Sequence, residues 1–269
     1  MDLGLSQTAC LITGASSGIG AATARMLYAE GAHVLMVARD ADRLEAVARD
    51  CSAAGGSQRS RVEHMAADVT APGAGGELVS TCVGHFGRID ILVNNAGATA
   101  LRPLEEITDD EWRAQWELNV MAPLRLMREA APLMAEQGSG RIVNVASSSG
   151  KRPGLANAAY SVTKSAELSL SRVFADAYAA HGVLVNAVAP GPIATPLWMA
   201  PGGLAEQAAK QQQGGPAAAV EDMRSRIPLG RLGSEEEVAA AIVFLCSAQA
   251  AFVTGAAWSV DGGYAPLFL

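Results

Sequence analysis

The chain has 269 residues, a length at which one α/β sheet covered by helices folds as a unit, so a single domain spanning 1–269 is expected. Half of the residues are hydrophobic and 5% are aromatic, which points to a core of Ala, Val, Leu and Ile such as buried parallel strands use. The formal net charge is -7 and no run of Lys or Arg occurs, which excludes the electrostatic footprint of a nucleic-acid or anionic-membrane binder.

From the start, short β-rich runs alternate with longer stretches of helical period. Thr8 to Thr13 reads as a strand, Gly20 to Glu30 as a helix, Val34 to Ala38 as a strand and Asp40 to Ala54 as a helix. A strand precedes Asp68, a helix covers Leu78 to Phe86, and Ile89 to Val93 is again a strand. A long helix opens near Thr108, where Thr108-Asp-Asp-Glu111 has the capping-box pattern. Arg141 to Ala146 reads as a strand, Ala156 to Ala180 as a helix, and Val183 to Val188 as a strand ahead of Pro190-Gly191-Pro192. Ser234-Glu-Glu-Glu237 caps the last long helix, and Ala257 to Val260 closes the pattern before Gly262-Gly263. Right-handed crossovers turn this order into a doubly wound Rossmann-type α/β fold, a parallel sheet of about seven strands with helices on both faces.

Residues 197–230 break the rhythm with Gly202-Gly203, glutamines at 211–213, Gly214-Gly215-Pro216 and an alanine tract. The segment follows the carboxyl end of a strand, where doubly wound sheets bind ligands, so a mobile substrate lid is expected, with a plain surface insertion as the alternative. Cys10, Cys51, Cys82 and Cys246 are far apart, and form no C-x-x-C pair, so buried thiols are expected. His33, His64, His85 and His181 are scattered, so no metal site is expected. The chain enters an apolar strand almost at once, with no basic leader, and no apolar stretch approaches the roughly 18 residues of a membrane span; cytoplasmic residence is the expectation.

Thr13-Gly14-Ala15-Ser16-Ser17-Gly18-Ile19-Gly20 joins the first strand to the first helix. Small residues there let a pyrophosphate approach backbone N–H groups at a helix N-terminus, which is the geometry of dinucleotide binding. The second strand ends at Ala38 and Arg39 follows at once. A carboxylate at that place would accept ribose hydrogen bonds, whereas a guanidinium suits a 2′-phosphate, so NADP(H) is favoured over NAD(H), with Asp40 able to neutralise part of the charge.

Lysine occurs only at 151, 164 and 210, which makes a well-placed one informative. Tyr160 and Lys164 are four apart in a helical stretch, on one face. A free phenol ionises near pH 10, too high for ready proton shuttling at neutral pH, and a nearby ammonium favours the phenolate, so the pair reads as a proton-transfer device. Ser147 ends a strand at the same sheet edge, where a substrate oxygen would sit between both hydroxyls.

Together the Thr13-to-Gly20 turn, Asn94-Asn95-Ala96-Gly97, Asn119, Ser147, Tyr160-x-x-x-Lys164 and Pro190-Gly191 resemble the short-chain dehydrogenase/reductase family over nearly the whole chain. The resemblance implies that Ser147 polarises the substrate carbonyl, Tyr160 transfers the proton, Lys164 serves Tyr160 and the nicotinamide ribose, and Asn119 holds a water beside Lys164. It further implies cofactor contacts at Gly14, Ser16, Ser17, Gly18, Ile19, Gly20 and Arg39, at Asp68 and Val69 beside the adenine, and at Asn95, Ala96 and Gly97 along the cofactor. Asn94 would be structural, linking strands. Pro190, Gly191, Ile193 and Thr195 would close over the nicotinamide. Members of this family form dimers and tetramers, so a homo-oligomer is expected, with Trp112 and Trp116 placed either in the core or at a subunit interface.

The expected activity is NADP(H)-dependent interconversion of a ketone and a secondary alcohol, with 3-oxoacyl thioester reductases as the nearest analogy and a lid around Leu197, Trp198 and Met199. An NAD(H)-dependent alcohol, sugar or steroid dehydrogenase of the same family is the alternative. A non-catalytic nucleotide-binding regulator would have lost a catalytic residue, and none is lost. A Ser147/Lys164 hydrolase would need a nucleophile elbow that this sequence lacks.

Overall fold

In the computed structural model, which describes residues 2–53, 60–210 and 214–265, each strand but the last is followed by a helical crossover. Strand β1 (Ala9–Thr13) leads to α1 (Gly18–Ala29), β2 (His33–Ala38) to α2 (Ala41–Ala53), and β3 (Val62–Ala66) to α3 (Ala74–Phe86). Next come β4 (Ile91–Asn94), α4 (Asp109–Trp116), a π-helical turn at Glu117–Met121, and α5 (Ala122–Glu136). Then β5 (Gly140–Val145), a short α6 (Ser148–Lys151), the long α7 (Ala158–Tyr178) and β6 (Val183–Pro190) follow. Three short helices, α8 (Pro196–Met199), α9 (Leu204–Ala209) and α10 (Gly215–Ser225), precede α11 (Glu235–Cys246) and β7 (Ala257–Val260). The expected helix end at Ala54 and the glutamines at 211–213 lie outside the described residues.

All seven strands pair in parallel in the order β3-β2-β1-β4-β5-β6-β7. Alternate residues of β1 feed opposite faces: Cys10 and Ile12 join the core under α1, α2 and α11, while Leu11 joins the core under α3, α5 and α7. This is why the strand reads as a continuous apolar run. The four cysteines are free and buried, as their apolar surroundings implied.

Strand order reverses between β1 and β4, and the loops leaving their carboxyl ends diverge to opposite sides, opening a crevice. Thr13 ties the two edges together there, its Oγ1 accepting from the Asn95 and Ala96 N–H groups at 3.1 Å each. Asn94, one residue earlier, donates to Asn144 Oδ1 at 2.8 Å and links β4 to β5, the structural part expected of it.

Both capping boxes read from sequence are formed, at Thr108/Glu111 and Ser234/Glu237. The long helix beginning near Thr108 is not uniform, however. Pro123 has no N–H to return to the Asn119 carbonyl, so the ladder widens into the π turn before α5 resumes.

The segment at 197–230, expected as a break in the rhythm and read as a mobile lid or a plain surface insertion, carries α8, α9 and α10 among the described residues. The excursion leaves and returns at one place, where Ala194 N–H donates to the Gly233 carbonyl at 2.9 Å and Gly233 N–H to the Pro192 carbonyl at 3.1 Å. Leu204, Ala205 and Ala219 supply its buried apolar contacts.

Candidate active site

A cleft of about 1470 Å³ runs along the carboxyl ends of the strands, lined from Gly14 at one side through Ser147 and Tyr160 to Trp198 and Met223 at the other. This exceeds the roughly 300–1,000 Å³ of a single small-ligand pocket and suits two ligands side by side.

The turn after β1 forms one wall. Gly14 and Gly18 have φ of +66° and +59°, and a Cβ on Gly14 would lie 2.8 Å from Ala96 Cα, so the turn can press against β4 only as glycine. Ser17 is the N-cap of α1 but its side chain caps nothing, which leaves the first N–H groups of the helix directed at the cleft. A phosphate fits this seat through N–H donors and the helix dipole. Gly14, Ser16, Ser17, Gly18 and Ile19 line the cleft, while Gly20 packs behind the turn against the Gly14 carbonyl and Asn95 Nδ2.

Arg39 lies on the same wall and has no ion-pair partner among the described residues. Asp40, the neighbour able to neutralise it, is engaged by Arg43 at 3.2 Å. Asp68 and Val69 line the cleft beside it. The Asp68 carboxyl is held below its ordinary range by the Thr70 hydroxyl and N–H, with Arg39 adding a smaller pull. Asn95, Ala96 and Gly97 continue the wall, and Asn95 Nδ2 donates to the Thr13 and Gly14 carbonyls at 3.0 Å each.

The central groups come from β5, α7 and the π turn. Ser147 lies two residues beyond β5 and caps α6, its Oγ accepting from Ser149 N–H at 3.1 Å, which leaves its own O–H to donate into the cleft. Tyr160 and Lys164 line the cleft from α7, with Lys164 Nζ 5.7 Å from the Tyr160 ring centre. Lys164 is fixed by bonds to the Val145 carbonyl at 2.8 Å and to Glu167 Oε2 at 2.7 Å.

Asn119 stands behind the wall, fully buried on the π turn, donating to Gln115 Oε1 at 2.8 Å and Thr163 Oγ1 at 3.2 Å. Its Oδ1 has no partner and faces the Gly97 backbone, where Lys164 Nζ also converges: a Cβ on Gly97 would lie 3.5 Å from one and 3.7 Å from the other. An orphaned buried acceptor beside an ammonium is where a water belongs.

Beyond β6, Pro190, Gly191, Ile193 and Thr195 line the opposite wall, and a Cβ on Gly191 would lie 2.7 Å from Asp261 Cα. Leu197 and Trp198 of the excursion line the cleft, whereas Met199 is exposed and does not. Among the polar wall residues that escaped the reading of the sequence are Arg152 after α6, and the pair Asp222–Arg226 on and beyond α10, joined at 2.7 Å. Arg152 is exposed and without an ion-pair partner among the described residues. No motif marked it, because a lone arginine in a loop has no spacing to read. Buried Glu167 was missed too, hidden as an ordinary polar helix position.

Among the described residues no helix is long and apolar enough to cross a membrane, and no cluster of His, Cys, Asp or Glu could hold a metal ion. Residues 14–265 match the family model described as enoyl-(acyl carrier protein) reductase. The chain is 38% identical over 267 residues to cis-4-hydroxycyclohexanecarboxylate dehydrogenase of Sinomonas cyclohexanicum, covering 98% of this chain and 99% of that one. It is 36% identical over 256 residues to a 3-oxoacyl-(acyl-carrier-protein) reductase of Thermotoga maritima, covering 94% and 96%. The crystal structure of L-sorbose reductase from Gluconobacter frateurii, complexed with NADPH and L-sorbose, superposes with a TM-score of 0.91 at 37% identity over the full length of both chains. With a glycine turn at a helix start, Tyr160 and Lys164 on the same cleft and full-length kinship of this degree, the chain belongs to the short-chain dehydrogenase/reductase family, as an NAD(P)-dependent oxidoreductase of the ketone/alcohol kind.

Proposed function

We propose that the protein reduces a ketone to a secondary alcohol with NADPH, reversibly, and that the convergence of Ser147, Tyr160 and Lys164 on one cleft beside the uncapped start of α1 carries this reading. The nicotinamide cofactor, when bound, supplies or accepts the hydride. Gly14, Ser16, Ser17, Gly18 and Ile19 hold its phosphates, Arg39 the 2′-phosphate, and Asp68 with Val69 the adenine. Asn95, Ala96 and Gly97 flank it, and Pro190, Gly191, Ile193 and Thr195 cover the nicotinamide end. Gly20 contributes by letting the turn close.

Ser147 donates its free O–H to the carbonyl oxygen and polarises it without adding charge. Tyr160 gives that oxygen its proton during reduction and takes it back during oxidation. Lys164 places a fixed positive charge beside Tyr160, and Asn119 Oδ1 holds the water that reconnects Lys164 with solvent. Residues 197–230 act as the substrate lid within a single catalytic domain.

The substrate end combines Leu101, Leu118 and Trp198 with the unpaired Arg152, which supports a ketone whose far end carries an anion. A 3-oxoacyl thioester of an acyl carrier protein and a cyclic keto-carboxylate both satisfy this, and both chemistries are named among the relatives. An NAD(H)-dependent alcohol, sugar or steroid dehydrogenase is the second reading; the likeness to L-sorbose reductase, complexed with NADPH, supports its sugar substrate and not its cofactor. Trp116 is exposed on α4, in keeping with assembly into a dimer or tetramer; light scattering that reads a monomer at micromolar concentration overturns that part.

A panel of ketones and secondary alcohols with both cofactors tests the whole. NADPH consumption with at least one ketone is expected, falling about 10²- to 10⁴-fold in Tyr160→Phe. Undiminished turnover in that variant overturns the mechanism.

A further inference from the structure

Lys164 has a buried partner that its catalytic pairing with Tyr160 does not require. Glu167 Oε2 lies 2.7 Å from Lys164 Nζ, and the two side chains are 1% and 3% exposed. Of the three N–H groups of the ammonium, one goes to Glu167 and one to the Val145 carbonyl, which leaves one for the cleft. A buried carboxylate costs more to keep than an apolar side chain of similar size, so its presence here calls for a use. We propose that Glu167 is a positioning residue for proton transfer, whose carboxylate holds the Lys164 ammonium charged and in one orientation so that its remaining N–H serves Tyr160 and the cofactor ribose. This rests on the assignment of Tyr160 and Lys164 as the proton-transfer pair.

Two further observations support it. Burial alone works against the Lys164 ammonium, and the Glu167 carboxylate, Tyr160 and the hydrogen bond outweigh it, holding Lys164 above the ordinary lysine range. Burial pushes the Glu167 carboxyl up, and Lys164 is the one charge opposing this. From the elements packed against α7, the groups nearest the pair are neutral: Asn119 on the π turn and the Val145 carbonyl of β5. Charged groups on those elements turn elsewhere. Glu117 pairs with Arg125, Arg113 with Asp110, and Lys151 with the Ala257 carbonyl and Ser259.

The experiment compares wild type, Glu167→Gln and Glu167→Asp in two readouts: ketone reduction from pH 6 to 9, and an ¹⁵N-lysine NMR titration of the apo protein, in which only three lysines contribute. Without the carboxylate, burial drives Lys164 to its neutral form as pH rises. The deficit of Glu167→Gln should therefore grow about ten-fold between pH 6 and pH 9, with the Lys164 Nζ titration displaced downward by more than about two pH units, as a ten-fold loss of the ammonium at pH 9 requires. Glu167→Asp keeps the charge and should recover most of the alkaline activity. A deficit that is the same at every pH, no deficit, or an unmoved Nζ titration overturns the proposal. If the Gln variant does not fold, the wild-type titration decides: Lys164 losing its proton below the ordinary lysine range overturns it, and retention above that range supports it. The NMR arm needs no turnover, so its outcome is separable from failure of the proposed activity.

Discussion

Between Thr13 and Gly20 the ligand seat is made of backbone, whereas from Pro196 to Arg226 it is made of side chains carried on three short helices. In the first region positive φ values, a backbone approach within 2.8 Å and an uncapped helix start leave almost no freedom of residue choice. In the second, Gly202 has φ +77° and nothing within 4 Å of where a Cβ would be, and Leu197 and Met199 are exposed. On the proposed reading, a cofactor of fixed shape would let the first half be rigid, while the second would shape itself to one substrate with replaceable side chains.

The largest expected effect breaks this comparison directly. Gly14→Ala meets left-handed strain of about 1–2 kcal/mol and overpacking of about 1–3 kcal/mol more, and cofactor affinity should fall with stability. Gly202→Ala meets the strain alone and should cost about 1–2 kcal/mol with cofactor affinity retained. Denaturant midpoints and cofactor titration check both, and equal losses would erase the distinction.

Arg39→Ala should weaken NADPH about 10–100-fold, the value of a charged hydrogen bond of about 1.5–3 kcal/mol, and NADH less than about 3-fold. Equal losses would remove Arg39 from the 2′-phosphate role.

Ser234→Ala should cost about 1 kcal/mol by uncapping α11, whose start follows Gly233, bridged to Ile193 at the base of the helical excursion. The same box responds to acid. The Arg231 guanidinium and the Ser234 N–H pull the Glu237 carboxyl down to about 2. A folded value below the unfolded one of about 4.3 means the contribution is present above that range and lost as pH falls from it through about 2. Glu237→Gln should flatten stability in that window, and an unchanged acid limb would show that the box does not hold there.

The smallest effect sharpens the other side: Arg152→Ala should raise KM about 3–5-fold for a carboxylate-bearing ketone, more than for a neutral one, as befits an exposed charge. A uniform change across substrates would deny it a part in selection.

Local spacing carried far because parallel strands buried on both faces and capped helices announce themselves within a few residues. Leu11 and Ile12 read as strand, and Thr108 and Ser234 as caps, without knowledge of what lies opposite. The break at Glu117–Met121 was less visible, since it depends on which carbonyl Pro123 leaves unpaired. Arg39 could be placed at the end of β2 from sequence, but its lack of an ion-pair partner among the described residues could not, because that turns on Asp40 reaching Arg43 instead. In residues 196–226, glycine and proline obscured helices that are held by the bridge at their base.

The order of elements, the glycine turn between β1 and α1 and the Tyr160–Lys164 spacing were determined by sequence alone, because each is a relation between residues near in the chain and obeys the period of its own helix or turn. Only the tertiary structure decided that Asn119 Oδ1 and Lys164 Nζ meet at Gly97, that Arg152 stands at the cleft without an ion-pair partner among the described residues, and that Glu167 is buried against Lys164. Those are matters of burial and of contact between distant segments, and the cost of an unpaired or a buried charge exists only once water has been excluded.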